Sequence, residues 1–525
     1  MICRPRTQIP KIFAVLLPSI GNIIFVAILM VLMLNVADGL LGDGDTGYHI
    51  KTGEFILDAG KIPRVDIFSF IKPTLKWTAH EWLSEVIMAL IYRGSGLTGI
   101  VVFFAILLAT THWLLFALLR TKSGDILLCT IITVLATLTA STHWLARPHL
   151  FSLPLLLIWH HLLDRFQYND RRTLIYLPLL MLLWVNLHGG FMLGIVLLII
   201  YLAGNLMYSL TESPASALRH RAKAKALALT ILLTVGACMV NPVGAEIFWF
   251  PFRVTSDRFI MDWVIEFMSP NFHHDLPFKY MFIALLAVLA VTRTRLNLIE
   301  AALIILVSYM ALYSVRHVSV FAIVAAPILL KMSNGIAVSL PERLTDFYQI
   351  RRELIAGLDA QLNGKAWPAI AFVIVLVLAL GGMVRVSFND KIFPVAAVEF
   401  LKREKLSGNM FNNDEFGDYL IFSAWPQYKV FTDGRSDMYG EKHGSPYLKV
   451  AGVQPGWKEI LRRYDVSWTF FQTKTALTAA LLDQPDWQPI YSDKVATIFV
   501  RKITEYQYLL NKYPSVLVQL ADEYK

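Results

Sequence analysis

Long apolar runs alternate along this chain with short polar links. Eleven runs stand out, near 12–36, 97–119, 126–143, 149–164, 174–187, 191–209, 226–241, 278–292, 298–313, 318–332 and 367–387. About 20 apolar residues cross a hydrocarbon core, and shorter runs cross where a helix bends or the bilayer thins. The pattern predicts about eleven membrane-spanning helices. Two regions break it: the stretch 37–96 after the first run, and everything beyond about residue 388. Within the first, Glu81 and Glu85 fall on one helical face, while Trp82, Leu83, Val86, Ile87, Leu90 and Ile91 form a wide apolar face. That segment is too short and too charged to span, so it predicts a helix lying on the membrane surface.

Beyond residue 388 the pattern becomes strand, helix, strand. Asn409–Asn412, Lys429–Thr432 and Val466–Phe471 read as strands, and a helix opens around Phe416–Ile421. A further helix is expected over 474–483, then a terminal hairpin of Pro489–Tyr491 and Ala496–Val500 turning at Ser492-Asp493-Lys494. The expected fold is a polytopic α-helical membrane domain (1–387) followed by a small extracytoplasmic α/β domain (388–525).

Composition narrows the class. Hydrophobic residues make up 56% of 525 positions and charged residues 17%, against roughly 25% charged in a typical soluble protein. Mean hydropathy is +0.53. A soluble enzyme of this length needs far more polar surface. The three cysteines, Cys3, Cys129 and Cys238, have neither a disulfide framework nor zinc-site spacing. The net charge of +9 lies in short loops: Arg4, Arg6 and Lys11, then Arg165, Arg171 and Arg172, then Arg219, Arg221, Lys223 and Lys225, then Arg293 and Arg295. Alternating the loops puts all of these on the cytoplasmic side, together with 333–366, which carries Arg343, Arg351, Arg352 and Lys365. The distribution argues against nucleic-acid binding. Loop 37–96, with eight acids and six bases, and the segment after 388 then share the external face. The first run is too long for a secretory signal and is expected to be a retained anchor. The expected location is a bacterial inner (plasma) membrane, with the N-terminus in the cytoplasm.

The chemistry concentrates outside. Gly42-Asp43-Gly44-Asp45-Thr46-Gly47-Tyr48-His49 follows the first run directly. Ionisable groups at the edge of the hydrocarbon usually mark a site. One acid could act as a general base on a hydroxyl, or the two could share a hard cation. The structural alternative is that Asp43 or Asp45 caps the next helix. Arg147, in Trp144-Leu145-Ala146-Arg147-Pro148-His149, and Arg316, in Ser314-Val315-Arg316-His317, lie on the same face and could bind a phosphate. Either could equally snorkel to headgroups. His188 sits in the tight link Asn186–Gly190, and Asp433 and Arg435 end the predicted strand 429–432. His273-His274-Asp275 reads as a surface loop, and Asp262 and Glu266 read as interfacial.

An acid directly after the first span, two interfacial helices in a large first external loop and the turn Gly60-Lys61-Ile62-Pro63 between them resemble the GT-C superfamily of glycosyltransferases. The layout is similar to bacterial lipid A aminoarabinose transferases and protein O-mannosyltransferases. The resemblance covers the spans and first loop, most specifically 43–93. It implies an inverting transfer of sugar from a polyprenyl-phosphate donor to an acceptor hydroxyl at the extracytoplasmic face. Asp45 would be the acidic residue that activates the acceptor, with Asp43 second, and Arg147 and Arg316 would hold the donor phosphate. His49, His80, Glu81, His188, His317, Asp433 and Arg435 are candidate substrate contacts. The partners implied are the lipid-linked donor, a glycan, lipid or protein acceptor, and membrane lipids. Gly417-Asp418-Tyr419 with Asp433-Gly434-Arg435 is also faintly similar to an acceptor-recognition signature of oligosaccharyltransferase catalytic subunits, without its tryptophan pair. Those enzymes carry a second acidic motif between the third and fourth spans and bind a divalent metal. Here that loop is Thr142–His149 and has no acid. No cofactor is expected, although Asp43 and Asp45 could hold a divalent metal. The rival readings are a lipid-linked glycan transporter or flippase, and a catalytically silent scaffold in envelope glycan assembly.

Overall fold

The computed structural model describes residues 16–34, 39–168, 171–274, 276–336, 342–362, 364, 366–382 and 386–521. Arg4, Arg6, Lys11, Cys3, Asp275 and Lys365 lie outside the described residues. Each of the eleven apolar runs contains a helix. Among the described residues, four helical stretches are long and apolar enough to cross a bilayer: Trp82–Lys122, Ile126–His143, Phe191–Thr211 and Val315–Ile336. Five more apolar helices are shorter, among them Ile20–Leu34 and Leu298–Tyr313. A 15-residue helix rises only about 22 Å, less than a hydrocarbon core of about 30 Å. The remaining two, Ser152–Tyr168 and Pro214–Cys238, carry charges toward one end. The helices bury indole rings at their centre. Trp159 and Trp184 meet edge to face at 5.8 Å, and Trp159 Nε1 donates to the Gly194 carbonyl at 3.0 Å.

The first loop is built as its pattern predicts, with one difference. The amphipathic segment and the second apolar run form Trp82–Lys122, broken at Ser95 and at Gly96, whose φ of 62° is a left-handed turn suited to glycine. The amphipathic half does not simply lie on a surface. It packs against helix Asp45–Ala59 so closely that a Cβ on Gly53 would stand 1.9 Å from the Glu85 carbonyl oxygen.

The C-terminal segment holds a four-stranded mixed sheet, β1 Asn409–Asn412, β2 Val466–Gln472, β3 Trp487–Ser492 and β4 Ala496–Arg501, in the order β1-β2-β4-β3. β1 and β2 are parallel, and the other pairs are antiparallel. The inner strands β2 and β4 are buried almost throughout, which explains their continuous apolar runs. At the β3–β4 turn the Asp493 carboxylate accepts from the amides of Val495 and Ala496 at 2.7 and 2.8 Å.

The expected strand Lys429–Thr432 is not part of this sheet. The buried Asn412 side chain accepts from the Phe431 amide at 2.7 Å and donates to the Thr432 carbonyl at 2.8 Å, occupying the groups a ladder would use. Val430 instead pairs with the first loop, donating to Phe68 at 3.1 Å and accepting from the Phe70 amide at 3.2 Å. Loop and C-terminal segment are thereby joined through backbone bonds.

Candidate active site

That junction brings the chemistry together. A cavity of about 510 Å³ lies between the first loop, the helix ends and the C-terminal segment. Asp43, Asp45, His49, His80, Glu81, Arg147, His188, Arg316 and Asp433 all line it. The sequence scatters these residues across some 390 positions, from Asp43 to Asp433.

Asp43 and Asp45 stand at the start of helix Asp45–Ala59. Asp43 makes two contacts. One carboxylate oxygen accepts from the Asp45 amide at 2.8 Å, as a capping group does, and the other meets Arg147 Nη1 at 2.7 Å. Asp45 Oδ2 is 2.7 Å from Arg147 Nη2. Arg147 is delivered by an extended residue before Pro148, and its neighbour Ala146 is pinned by Leu40 and Thr46. The guanidinium also bonds Glu266, from the short helix Ile265–Phe267. One arginine therefore holds three carboxylates, and in this arrangement it turns to them and not toward a donor phosphate.

Arg316 is the second cation. Its guanidinium lies 4.6 Å over the Phe267 ring and makes no ion pair among the described residues. It is free to meet an anion in the cavity.

The histidines form a chain around Glu81. His188 Nδ1 accepts from Ser152 Oγ at 2.7 Å and from the Gly190 amide at 3.0 Å, so the proton of the neutral ring sits on Nε2, facing Glu81 Oε1 at 3.5 Å. His80 Nε2 is 3.7 Å from the same oxygen. His49 spans Glu85 at 3.2 Å and Glu81 at 3.9 Å. Burial, then the field of Arg316, holds His188 well below the ordinary histidine range. Burial and then Arg147 do the same to His49.

Two expected substrate contacts do not reach the cavity. Arg435 is 1% exposed and sits behind the wall. It is bonded to Asp433 at 2.6 and 2.7 Å and to Asp66 at 2.9 Å, and it stacks over Trp77 at 4.6 Å. Its charge ties the C-terminal turn to the first loop. Asp433 does line the cavity, but both its oxygens are committed to Arg435, with Tyr439 adding a bond at 2.8 Å. His317 lies in the short helix Val315–His317, away from the cavity lining.

Two residues outside the expected site set belong to it, one of them, Asp418, named only within the faint Gly417-Asp418-Tyr419 signature. Glu266 reads as interfacial in sequence, yet it belongs to the Arg147 cluster. A lone acid within Trp263–Met268 was the available signal. Asp418 comes from helix Asp414–Ala424, which packs on helix Asp45–Ala59. Both its oxygens accept from the Gly434 amide, at 2.9 and 3.1 Å, and a Cβ on Gly434 would touch Asp45 and Asp418 at 2.0 and 3.0 Å. Burial, then Asp45 and Asp433, pushes the Asp418 carboxyl well above the ordinary range. Burial also raises Asp45, against the pull of Arg147. Of the pair, only Asp45 is bonded to a guanidinium, which opposes that rise. Burial raises Glu266 too, but Arg147 and then Arg316 outweigh it and bring it down to about 2.

The donor set does not suit a divalent ion. Oxygens of Asp43, Asp45 and Glu266 are already directed at Arg147, and the described residues hold no group of three or more His, Cys, Asp or Glu placed to hold a metal.

The fold is shared with solved structures. The structure is similar to the oligosaccharyltransferase of Archaeoglobus fulgidus in its apo form, with a TM-score of 0.54 and 9% identity over 86% of this chain and 69% of that one. It is equally similar to the archaeal oligosaccharyltransferase from Archaeoglobus fulgidus in complex with an inhibitory peptide and a dolichol-phosphate, with a TM-score of 0.54, 11% identity and the same coverage. No protein-family model matches the chain, and no curated protein matches it in sequence. The likeness is one of fold: a mostly helical chain with apolar helices long enough to cross a membrane and a small C-terminal mixed sheet.

Proposed function

We propose that this protein is a membrane glycosyltransferase that moves a sugar from a polyprenyl-phosphate donor to an acceptor hydroxyl at the extracytoplasmic face. The observation that carries the reading is Asp45: a carboxylate at a cavity wall, fixed at 2.7 Å by Arg147 and flanked by Asp418. A fold supports many chemistries, so the argument rests on this site. The dolichol-phosphate bound to one structural neighbour supports the class of donor.

Asp45 accepts the proton of the acceptor hydroxyl as its oxygen attacks the anomeric carbon. The bond from that carbon to the phosphate oxygen breaks, and polyprenyl phosphate leaves with the electron pair, inverting the centre. Arg147 keeps Asp45 aligned and ionised. Arg316, the cation without a carboxylate partner, stabilises the charge growing on the phosphate. The two arginines and four histidines of the cavity come from the membrane domain 1–387, while Asp414, Glu415, Asp418, Asp433 and Asp437 come from the segment after 388. Arg147 is taken up by Asp43, Asp45 and Glu266, so an anionic donor fits beside Arg316, and a hydroxyl-bearing acceptor fits the C-terminal wall. The reaction runs without a metal, since Arg147 supplies the positive charge around which the acids gather. The orientation follows from loop charge, which puts the N-terminus in the cytoplasm, eleven helices in the membrane and both walls of the cavity outside.

Mass analysis of envelope glycans and glycoproteins tests the reading. A deletion strain should lose one sugar modification, and a gene carrying Asp45→Asn should fail to restore it. Full restoration by that variant would favour a silent scaffold and overturn the enzyme.

A further inference from the structure

A second cavity, of about 440 Å³, lies at the other ends of the helices that frame the first. Helices Ser152–Tyr168, Phe191–Thr211 and Val318–Ile336 begin near the Asp45 cavity, and Leu298–Tyr313 ends there. The second cavity draws instead on Asp164 and Tyr168, on Glu300 and on Lys331. From Arg316 to Lys331 the helix rise is about 22 Å, most of a hydrocarbon thickness. The two cavities open toward opposite faces of the bundle.

The lining of this second cavity is unusual in its donors. Lys331 bonds both oxygens of Glu300, at 2.7 and 2.6 Å. Glu300 also accepts from Tyr168 at 3.2 Å and from the Asn297 amide at 2.9 Å, so its oxygens are fully engaged. Lys122 pairs with Asp164. Each ammonium nevertheless retains protons beyond its carboxylate bonds. Deeper in the wall, His160 is 6% exposed and Tyr201 2% exposed. No side-chain hydrogen bond joins His160 or Tyr201 to another described residue, and both line the cavity. Leu303, Ile328 and Leu330 supply an apolar side.

The unbonded His160 and Tyr201 side chains, the protons that Lys122 and Lys331 keep beyond their pairs with Asp164 and Glu300, and the apolar flank suit a phosphate carried on a hydrocarbon chain. We propose that this cavity binds the phosphate of a membrane lipid from the leaflet opposite the Asp45 site, held by Lys122, Lys331, Tyr201 and His160. The inference does not depend on sugar transfer.

Native mass spectrometry of the full chain in detergent, titrated with phosphatidylglycerol, diacylglycerol or inorganic phosphate, tests it. Phosphatidylglycerol should be retained and diacylglycerol lost. Tyr201→Phe removes one hydroxyl that bonds nothing in the protein, so it should leave the melting temperature unchanged while weakening retention about tenfold, the loss of one hydrogen bond to a charged group. Lys331→Gln, which can still bond Glu300, should weaken retention similarly. Equal retention of both lipids, or equal retention by wild type and both variants, would overturn the proposal and leave a water-filled cavity. Displacement of the lipid by millimolar inorganic phosphate would overturn the lipid as the source.

Discussion

Arg147 decides what the acids around it can do. Its guanidinium bonds Asp43, Asp45 and Glu266 at once, in a pocket where it is itself largely buried. Removing it leaves three carboxylates without their cation, and breaking a buried ion pair from one side typically costs about 3–5 kcal/mol. Arg147→Met should therefore lower the melting temperature of the purified protein markedly, and Arg147→Lys should only partly restore it, because an ammonium lacks the planar fork. Equal stability of Arg147→Met and wild type would show that the cluster is not formed. Glu266 gives the same cluster a pH signature. Its folded value of about 2 lies below the ordinary 4.5, so its contribution is full above about pH 4.5 and is lost as pH falls toward 2. The difference corresponds to about 3 kcal/mol. The gap in melting temperature between wild type and Glu266→Gln should narrow as pH falls through that window. A gap that stays constant down to pH 2 would contradict the assignment.

At the scale of elements, apolar periodicity was legible and cross-chain proximity was not. Long apolar runs are a strong local signal, so every expected span holds a helix, and Asn409–Asn412 and Val466–Gln472 fall where their β-branched and aromatic residues predict. Lys429–Thr432 has the same local pattern, yet a single buried side chain, Asn412, takes its backbone groups. Glu266 and Asp418 each had a local signal, an acid among apolar residues and the Gly417-Asp418-Tyr419 signature, but nothing nearby in sequence says that they meet Arg147 and Asp45 more than a hundred positions away. Gly53 is a further case, since only the folded pair of helices reveals why it is glycine. A Cβ there would lie 1.9 Å from the Glu85 oxygen and 2.4 Å from its carbonyl carbon, atoms that cannot swing aside. Gly53→Ala should force the two first-loop helices apart and cost about 1–3 kcal/mol. A denaturation midpoint equal to that of wild type would mean that the helices do not pack as described.

For the whole molecule, the first loop and the C-terminal segment act as one wall. Val430 bonds Phe68 and Phe70 through the backbone, Trp425 Nε1 donates to Ile67 at 3.2 Å, and Arg435 reaches Asp66 at 2.9 Å. This wall carries Asp418 and Gly434 to Asp45. Asp66→Asn should loosen it: amide exchange at Val430 and Gly434 should rise, while exchange in helix Phe191–Thr211 stays unchanged. Unaltered exchange at Val430 would separate the two regions physically and remove the reason for Asp418 to lie at the site.

The most direct test is acceptor-dependent release of polyprenyl phosphate from a polyprenyl-phosphate sugar by the full chain in proteoliposomes. Asp45→Asn should reduce that release by about 10²–10⁴-fold, the usual contribution of a positioned general base, while His317→Gln, outside the cavity, retains it. Release by Asp45→Asn at the rate of the unaltered protein would contradict the account.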